Sequence, residues 1–439
     1  MSTPLYDALQ AHIRTDPLSM HMPGHKGKTV PMAQFAPLAP LDLTELPPTG
    51  NLFEGGDVIE QAQALWAADF RMDHCLFLTG GSTQGLHTAL ALTCRPGQSV
   101  LVDRGCHRSV YHAMGLLELE PVYLSRPWLT EEGVAGPICP QEVEARLQAH
   151  PDVKTVCITS PTYYGVLSDL PTIAAVCRRY GARLVVDGAH GAHLPFLGDF
   201  GLSAADVAVV SAHKTLPAPG QSALLFTRGI PAQQVRRTAA VFGSSSPSYP
   251  MMAALDCLRD WMEREGALAY ANCARQTARL REQLPALRPD RVLLDPTRFV
   301  LCCPDGYQAE QKLQQLGVWP EMADAGHVVL ILTCADGPGE FDRLEQALQS
   351  LALVEGGSSR PVPHVPEAQR VMSLRQALFA PVEYLPLCRA QDRVCAQCVA
   401  PYPPGVPVLA PGERVDKKLL SYLKEIGYND TVEVAVAAL

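Results

Sequence analysis

The sequence predicts an α/β fold built around a mainly parallel sheet, joined to a smaller α/β domain and a C-terminal α+β unit. Two apolar runs, Leu184-Val185-Val186 and Val207-Ala208-Val209-Val210, are short and valine-rich, as strands buried on both faces are. Similar runs alternate with helix-periodic segments from about residue 57 to 230, which implies right-handed βαβ crossovers. Asp187 closes the first run and Ser211-Ala212-His213-Lys214 follows the second. A carboxylate and a lysine would then converge on the carboxyl edge of the sheet, where open α/β folds bind ligands.

Composition agrees with a large globular chain. The 439 residues are 47% hydrophobic and 18% charged, enough for two or three domains around a sizeable core. The net charge is −9, from 36 basic and 45 acidic residues, with no basic block. That balance argues against a nucleic-acid partner, and it is compatible with a cationic substrate as well as ordinary for a cytosolic enzyme. No apolar run is long enough to cross a bilayer, and Met1 to Asp16 lack the apolar core of a signal peptide, so a cytoplasmic location is expected. The 14 cysteines are scattered singly, as at Cys75, Cys94, Cys157 and Cys177, the usage of a reducing compartment. Cys395-Ala-Gln-Cys398 is a CxxC with no second pair nearby. It reads as two cysteines on a C-terminal element rather than a zinc or redox site, and no metal is expected.

Residues 1–40 form an N-terminal arm, with a helix from Leu5 to Ile13 before Met22-Pro-Gly-His-Lys-Gly27. The large domain spans 41–250. Its helices are predicted at Asp57–Phe70, Ser82–Leu92 and Thr172–Tyr180, the last ending at Gly181. Its strands are predicted at Cys75–Leu78, Val100–Val102, Val122–Leu124, Val153–Thr159, Leu184–Asp187, Val207–Ser211 and Ala223–Phe226. Long helical periodicity from Met251 to Leu287 leads into a small α/β domain, so that this part covers 251–355. It holds strands at Phe299–Cys303 and Val328–Thr333 and helices near Gln308–Leu316 and Glu340–Leu351. Gly356-Gly-Ser-Ser-Arg-Pro-Val-Pro363 places a linker at 356–366. Residues 367–439 form the C-terminal domain, which contains the turn-rich Pro401-Tyr-Pro-Pro-Gly-Val-Pro407.

The chemistry lies in a few residue types. Pyridoxal phosphate needs a carboxylate for its pyridine nitrogen and a lysine for its aldehyde, and Asp187 with Lys214 offers both. A strand-end cap and a solvated loop lysine are the structural alternative. Thr79-Gly80-Gly81-Ser82-Thr83 lies between a predicted strand and helix. Glycines permit close approach, hydroxyls donate, and a helix N-terminus favours an anion such as phosphate. The alternative is a plain Gly-Gly turn with a hydroxyl cap. His107 follows the Val100–Val102 strand at the same predicted edge, where an imidazole can lie flat on an aromatic cofactor or simply serve the loop. Asp187-Gly-Ala-His-Gly-Ala-His193 also carries metal-ligand residue types, but no further ligand cluster accompanies it.

Nine motifs in order carry a resemblance. They are Met22-Pro-Gly-His-Lys-Gly27, Asp42-Leu-Thr-Glu45, Gly80-Gly-Ser-Thr83, Asp103-Arg104 with Cys106-His107, and Ser160-Pro-Thr-Tyr-Tyr-Gly165. Val186-Asp187 with Ala189-His-Gly-Ala-His193, Ser211-Ala-His-Lys-Thr-Leu216, Ser244-Ser-Ser-Pro-Ser-Tyr249 and Pro401-Tyr-Pro-Pro-Gly405 complete the series. The chain resembles the Orn/Lys/Arg decarboxylase family along nearly its whole length, in particular the short members without an N-terminal receiver-like domain. The resemblance implies the aspartate-aminotransferase type of fold and pyridoxal 5'-phosphate as cofactor. It implies that Lys214 carries the cofactor as an imine, that Asp187 pairs with the ring nitrogen, and that His107 and Ala189 face the two sides of the ring. Ser82, Thr83, Ser211 and His213 would hold the phosphate, with Gly81 and His190 completing the set. One of Ser244 to Ser246, with Ser245 and Ser246 the named candidates, would reach a neighbouring subunit's phosphate, making a homodimer the smallest active unit. The implied activity is decarboxylation of arginine, lysine or ornithine to the amine and CO2, in polyamine metabolism.

The chain departs from the family pattern at three places. Gly188 stands where an acidic residue is usual, Thr49-Gly-Asn-Leu-Phe53 replaces a Leu-Asp-Asp-Leu-His type of stretch, and Ala218-Pro-Gly-Gln221 follows the lysine motif. These bear on substrate choice. A buried cationic side chain needs an acidic partner, for which Asp42, Glu45, Glu54, Asp57 and Glu413 are the candidates. The competing readings are an aminotransferase or lyase on the same fold and a catalytically silent homologue.

Overall fold

The computed structural model describes residues 2–28, 33–290, 292–351, 365–400, 407–428 and 430–436. Most of the 356–366 linker and residues 401–406 of the proline-rich turn lie outside them. In chain order the helices are α1 (Pro4–Arg14), α2 (Val58–Asp69), α3 (Gly81–Thr93), α4 (Arg108–Leu116), α5 (Pro140–Ala149), α6 (Leu170–Arg179), α7 (Ala212–Thr215), α8 (Ala232–Ala240), α9 (Tyr249–Trp261), α10 (Ala267–Gln283), α11 (Gly306–Gln315), α12 (Pro338–Ser350), α13 (Leu374–Leu378) and α14 (Lys417–Glu425). The strands are β1 (His74–Leu78), β2 (Ser99–Asp103), β3 (Glu120–Leu124), β4 (Trp128–Leu129), β5 (Val134–Ala135), β6 (Thr155–Thr159), β7 (Arg183–Asp187), β8 (Val207–Ser211), β9 (Ala223–Thr227), β10 (Arg298–Cys302), β11 (Met322–Ala323), β12 (His327–Ile331), β13 (Val382–Pro386) and β14 (Thr431–Ala435). A π-helical turn, Met262–Gly266, separates α9 from α10 within the predicted long helical stretch.

Two compact units divide the chain: Met1–Leu92 with Val185–Ala271, and Thr93–Leu184 with Asn272–Leu439. In the first, the strand order is β1-β9-β8-β7. β7 and β8 are parallel, with Asp187 opposite Val209. β9 runs antiparallel to both β8 and β1, so Ala223 faces Ser211 on one side and Leu78 on the other. That register decides where the site lies. The chain leaves β1, β7 and β8 and enters β9 at one edge, which gathers the Thr79–Thr83, Asp187–His190, Ser211–Lys214 and Gln221–Ser222 segments. The strands are buried almost throughout, and Phe70 stacks on Phe226 at 4.1 Å beneath them. Helix α1 docks by its N-terminus, where the backbone N–H groups of Ser2 and Tyr6 donate to Asp260 and Asp256 of α9 at 2.9 Å.

In the second unit β6, β2 and β3 are parallel in that order. The three-stranded antiparallel sheet β10-β12-β11 packs Phe299, Leu301, Val328 and Leu330 against Phe341 and Leu344 of α12. At the C-terminus β13 and β14 pair antiparallel, and Leu419 and Leu423 of α14 close a core with Val415, Val432 and Val434. Among the described residues no helix is long and apolar enough to cross a membrane.

Candidate active site

The site grows from the ends of three buried strands in the first unit. β1 ends at Leu78, and Gly81 then opens α3 at φ +71°, a left-handed conformation that glycine adopts without the Cβ clash. A Cβ there would approach the Gln221 carbonyl to 3.4 Å. This turn puts the hydroxyls of Ser82 and Thr83 in the first turn of α3, beside N–H groups that have no partner within the helix. From β8, the Ser211 hydroxyl donates to Ser82 Oγ at 2.9 Å. His213 Nδ1 donates to the Ser222 carbonyl at 2.9 Å, which fixes the ring orientation. One residue on, Lys214 Nζ lies 3.1 Å from Nε2 of His190.

Asp187 ends β7 at 2% exposure and accepts the Ala189 N–H at 3.1 Å. Ala189 and His190 are buried beside it. The arrangement therefore brings Gly81, Ser82, Asp187, Ala189, His190, Ser211, His213 and Lys214 together at one sheet edge, with Thr83 on the loop's exposed side. Two hydroxyls and a helix N-terminus can take a phosphate; a buried carboxylate can keep a ring nitrogen protonated; an amine can attach to an aldehyde. These residues fit pyridoxal phosphate. Ser244, Ser245 and Ser246 form an exposed turn between α8 and α9, in which Ser244 Oγ accepts the Ser246 N–H at 3.1 Å.

His107 belongs to the second unit, where it is exposed and caps α4: its Nδ1 accepts the Ser109 N–H at 3.2 Å. The turn before it is rigid. Asp103, fully buried at the end of β2, forks onto Arg126 (Nη2–Oδ2 2.6 Å) and accepts the Gly105 N–H at 2.9 Å. Arg104 donates to the Val408 carbonyl at 3.1 Å and to Glu413 at 2.9 Å, and its guanidinium lies 5.0 Å from the Tyr123 ring centre. Burial raises the Glu413 carboxyl above its ordinary value, and Arg104 opposes that rise.

These contacts show where the acidic candidates named from the sequence lie. Glu413, 1% exposed, is committed to Arg104 and the Ala410 N–H. Asp57 is the N-cap of α2, accepting from Ile59, Glu60 and Asn51. Asp42 bonds His25 at 3.0 Å, Glu45 takes the Thr44 hydroxyl, and Glu54 is exposed. The Gly50-Asn51 departure is thus a capping turn: a Cβ on Gly50, at φ +79°, would sit 2.6 Å from the Asp57 carboxylate. At Gly188 a Cβ would meet Leu202 and Val210 at 3.3 Å, so a side chain there would need these apolar neighbours to shift by a few tenths of an ångström. Cys395 donates to the Gln397 carbonyl at 3.0 Å, and burial pushes both CxxC thiols up to about 12, which keeps them protonated at neutral pH.

Two site residues escaped the sequence reading, Gln84 and Ser222. Gln84 directly follows the Gly80–Thr83 motif and accepts the Gly80 N–H at 2.9 Å; position 84 at a strand-to-helix turn was its available signal. Ser222 acts through its carbonyl, which no sequence pattern marks.

Comparisons with known proteins bear on the whole chain. The family model described as Orn/Lys/Arg decarboxylase, major domain, matches residues 3–302, and that for the C-terminal domain matches 364–430. An uncharacterized protein, YaaO, of Bacillus subtilis is 31% identical over 97% of this chain and 94% of its own length. An arginine decarboxylase of the same organism is 29% identical over 96% of this chain and 93% of its own. The lysine decarboxylase LdcF of Francisella novicida has the same fold, with a TM-score of 0.86 at 18% identity over 99% of this chain and 81% of that one. Ureidoglycine–glyoxylate aminotransferase of Bacillus subtilis shares the fold more distantly, with a TM-score of 0.58 at 14% identity over 72% of this chain and 90% of that one. Two matching domain models, in order and over most of its length, make this chain a member of the Orn/Lys/Arg decarboxylase family.

Proposed function

We propose that the protein removes the α-carboxylate of a basic amino acid, arginine first among them, to give the amine and CO2 with bound pyridoxal phosphate. The observation that carries this reading is the convergence of Asp187, Lys214 and the Ser82–Ser211 hydroxyl pair on one sheet edge. Arginine is favoured because relatives named arginine decarboxylase align along nearly the full chain.

When bound, pyridoxal phosphate supplies the electron sink for the pair left as the Cα–carboxylate bond breaks. The chain's residues supply the rest. Ser82, Thr83, Ser211 and His213 would anchor the phosphate, with Gly81 allowing the close approach and Ser245 and Ser246 contributing across a homodimer. Asp187, buried and accepting the Ala189 N–H, would pair with the ring nitrogen and hold a proton on it. Ala189, buried beside Asp187, would pack against one face of the ring. Lys214 would be the covalent attachment point, and its Nζ or the neighbouring His190, 3.1 Å away, would return a proton to Cα after CO2 leaves. The amine product would enter cytoplasmic polyamine metabolism.

The test is CO2 release by purified, cofactor-loaded protein from arginine, lysine, ornithine and several neutral and acidic amino acids, with Lys214→Ala as blank. Release from one basic amino acid supports the proposal and names the substrate. Keto-acid formation in place of CO2 would sink it in favour of transamination. Cofactor binding without turnover on any substrate would sink it in favour of a silent homologue.

A further inference from the structure

We propose that Gln84 is a positioning residue that locks the phosphate loop to the turn carrying Ser244–Ser246, and that Gly243 lacks a side chain to let it do so. The inference rests on the cofactor reading above. Gln84 lies in the first turn of α3 and is only 4% exposed. Its Oε1 accepts the Gly80 N–H at 2.9 Å, and its Nε2 donates toward the Ala239 carbonyl in the last turn of α8 at 3.5 Å.

The amide is held between two glycines. A Cβ on Gly80 would lie 2.8 Å from Oε1, and one on Gly243 would lie 2.5 Å from Nε2 and 2.8 Å from Cζ of Phe53. Gly243 immediately precedes the serine turn, while Gly80 precedes the helix start at Gly81. One side chain thus ties the loop assigned to phosphate to the end of α8 and lies against Gly243, from which the serine turn starts.

The residue type follows from charge. The amide must accept at one end and donate at the other, which glutamine does and glutamate at neutral pH does not. A carboxylate here would also set a negative charge beside a loop meant for a dianion. Because Gln84 takes the Gly80 N–H, the loop's backbone is fixed before any phosphate arrives, and such preorganisation favours binding.

The experiment titrates resolved protein with pyridoxal phosphate and with pyridoxal, which lacks the phosphate, for the natural chain, Gln84→Met, Gln84→Glu and Gly243→Ala. Loss of the loop-fixing hydrogen bond predicts about tenfold weaker pyridoxal phosphate binding for Gln84→Met. Gln84→Glu should be weaker still, and Gly243→Ala intermediate, while pyridoxal binding stays unchanged in all three. Natural-level pyridoxal phosphate affinity in both Gln84 variants would overturn the proposal. So would equal weakening of both ligands alongside a lowered melting temperature, the mark of a merely structural residue. Equal affinity of the natural chain for the two ligands would overturn the cofactor reading itself, and the Gln84 role with it.

Discussion

Two clusters of buried polar residues show how differently the same side chains can be used. At the Lys214 edge each side chain is steered by a neighbour: Ser211 by Ser82, His213 by Ser222, Lys214 by His190. In the second unit, Asp324 is saturated. It accepts the N–H groups of Gly326 and His327 at 2.7 Å, the His327 ring at 3.0 Å, and the hydroxyl of Tyr164. His327, fully buried, uses its other ring nitrogen to donate to the Glu132 carbonyl at 2.8 Å. Burial disfavours charge on His327, but the hydrogen bond and charge of Asp324 override it and hold the imidazole up to about 10. A carboxylate with every lone pair used is a fastener, joining β12 to Tyr164 and to the β4–β5 hairpin. Side chains oriented at the mouth of a sheet, with residue types matched to one cofactor, form a site.

The comparison breaks most sharply at Lys214. Lys214→Ala should abolish covalent cofactor attachment and lower CO2 release at least about a thousandfold, with a melting temperature close to that of the natural chain. A retained, borohydride-reducible attachment would move the role to another lysine. Asp324→Asn should do the reverse. Removing one partner of a buried pair costs about 3–5 kcal/mol, seen as a lower urea midpoint, while turnover of the folded fraction changes little. A large fall in turnover at unchanged stability would place Asp324 in the chemistry and erase the contrast.

The fastener also has a pH signature. The His327 imidazole titrates near 6.5 when unfolded and at about 10 when folded. Its contribution is therefore complete below pH 6.5 and is lost as pH rises through about 10. Unfolding free energies measured at pH 7, 9 and 10 should fall steadily, and His327→Gln should flatten that slope. A variant with the natural slope would assign the pH dependence to other groups.

The two clusters were not equally legible in the sequence. Strands β2, β7 and β8 announced themselves as valine-rich runs and β1 and β6 as short apolar ones, and Asp187 and Lys214 stood at the ends of β7 and β8 within short motifs. The fastener joins Tyr164 to Asp324 and Glu132 to His327, contacts 160 and 195 residues apart that no local pattern encodes. Glu413 misled for the same reason: alone it is a candidate for a cationic substrate, and only the 309-residue contact shows it serving Arg104. Helix α8 went unread because its polar sequence buries only Val235 and Ala239. The antiparallel course of β9 was likewise hidden, since a buried apolar strand reads the same in either direction.

Within the site the comparison sharpens by degrees. Asp187→Asn keeps an oxygen for the Ala189 N–H but lacks the charge that holds a proton on the ring nitrogen. It should bind cofactor and lose about a hundredfold or more in turnover; near-natural turnover would mean that another group pairs with the ring nitrogen. The smallest effect belongs to the serine turn. Ser245 and Ser246 are exposed, so replacing both by alanine should shift stability by no more than about 0.5 kcal/mol. If they reach a neighbouring subunit's phosphate, the double variant should bind pyridoxal phosphate about tenfold more weakly, while pyridoxal binds as before and the dimer dissociates more readily when the cofactor is removed. Because the turn makes so little use of its hydroxyls within one chain, an unchanged affinity and an unchanged dimer would leave them no role, and each active site would then be complete within a single subunit.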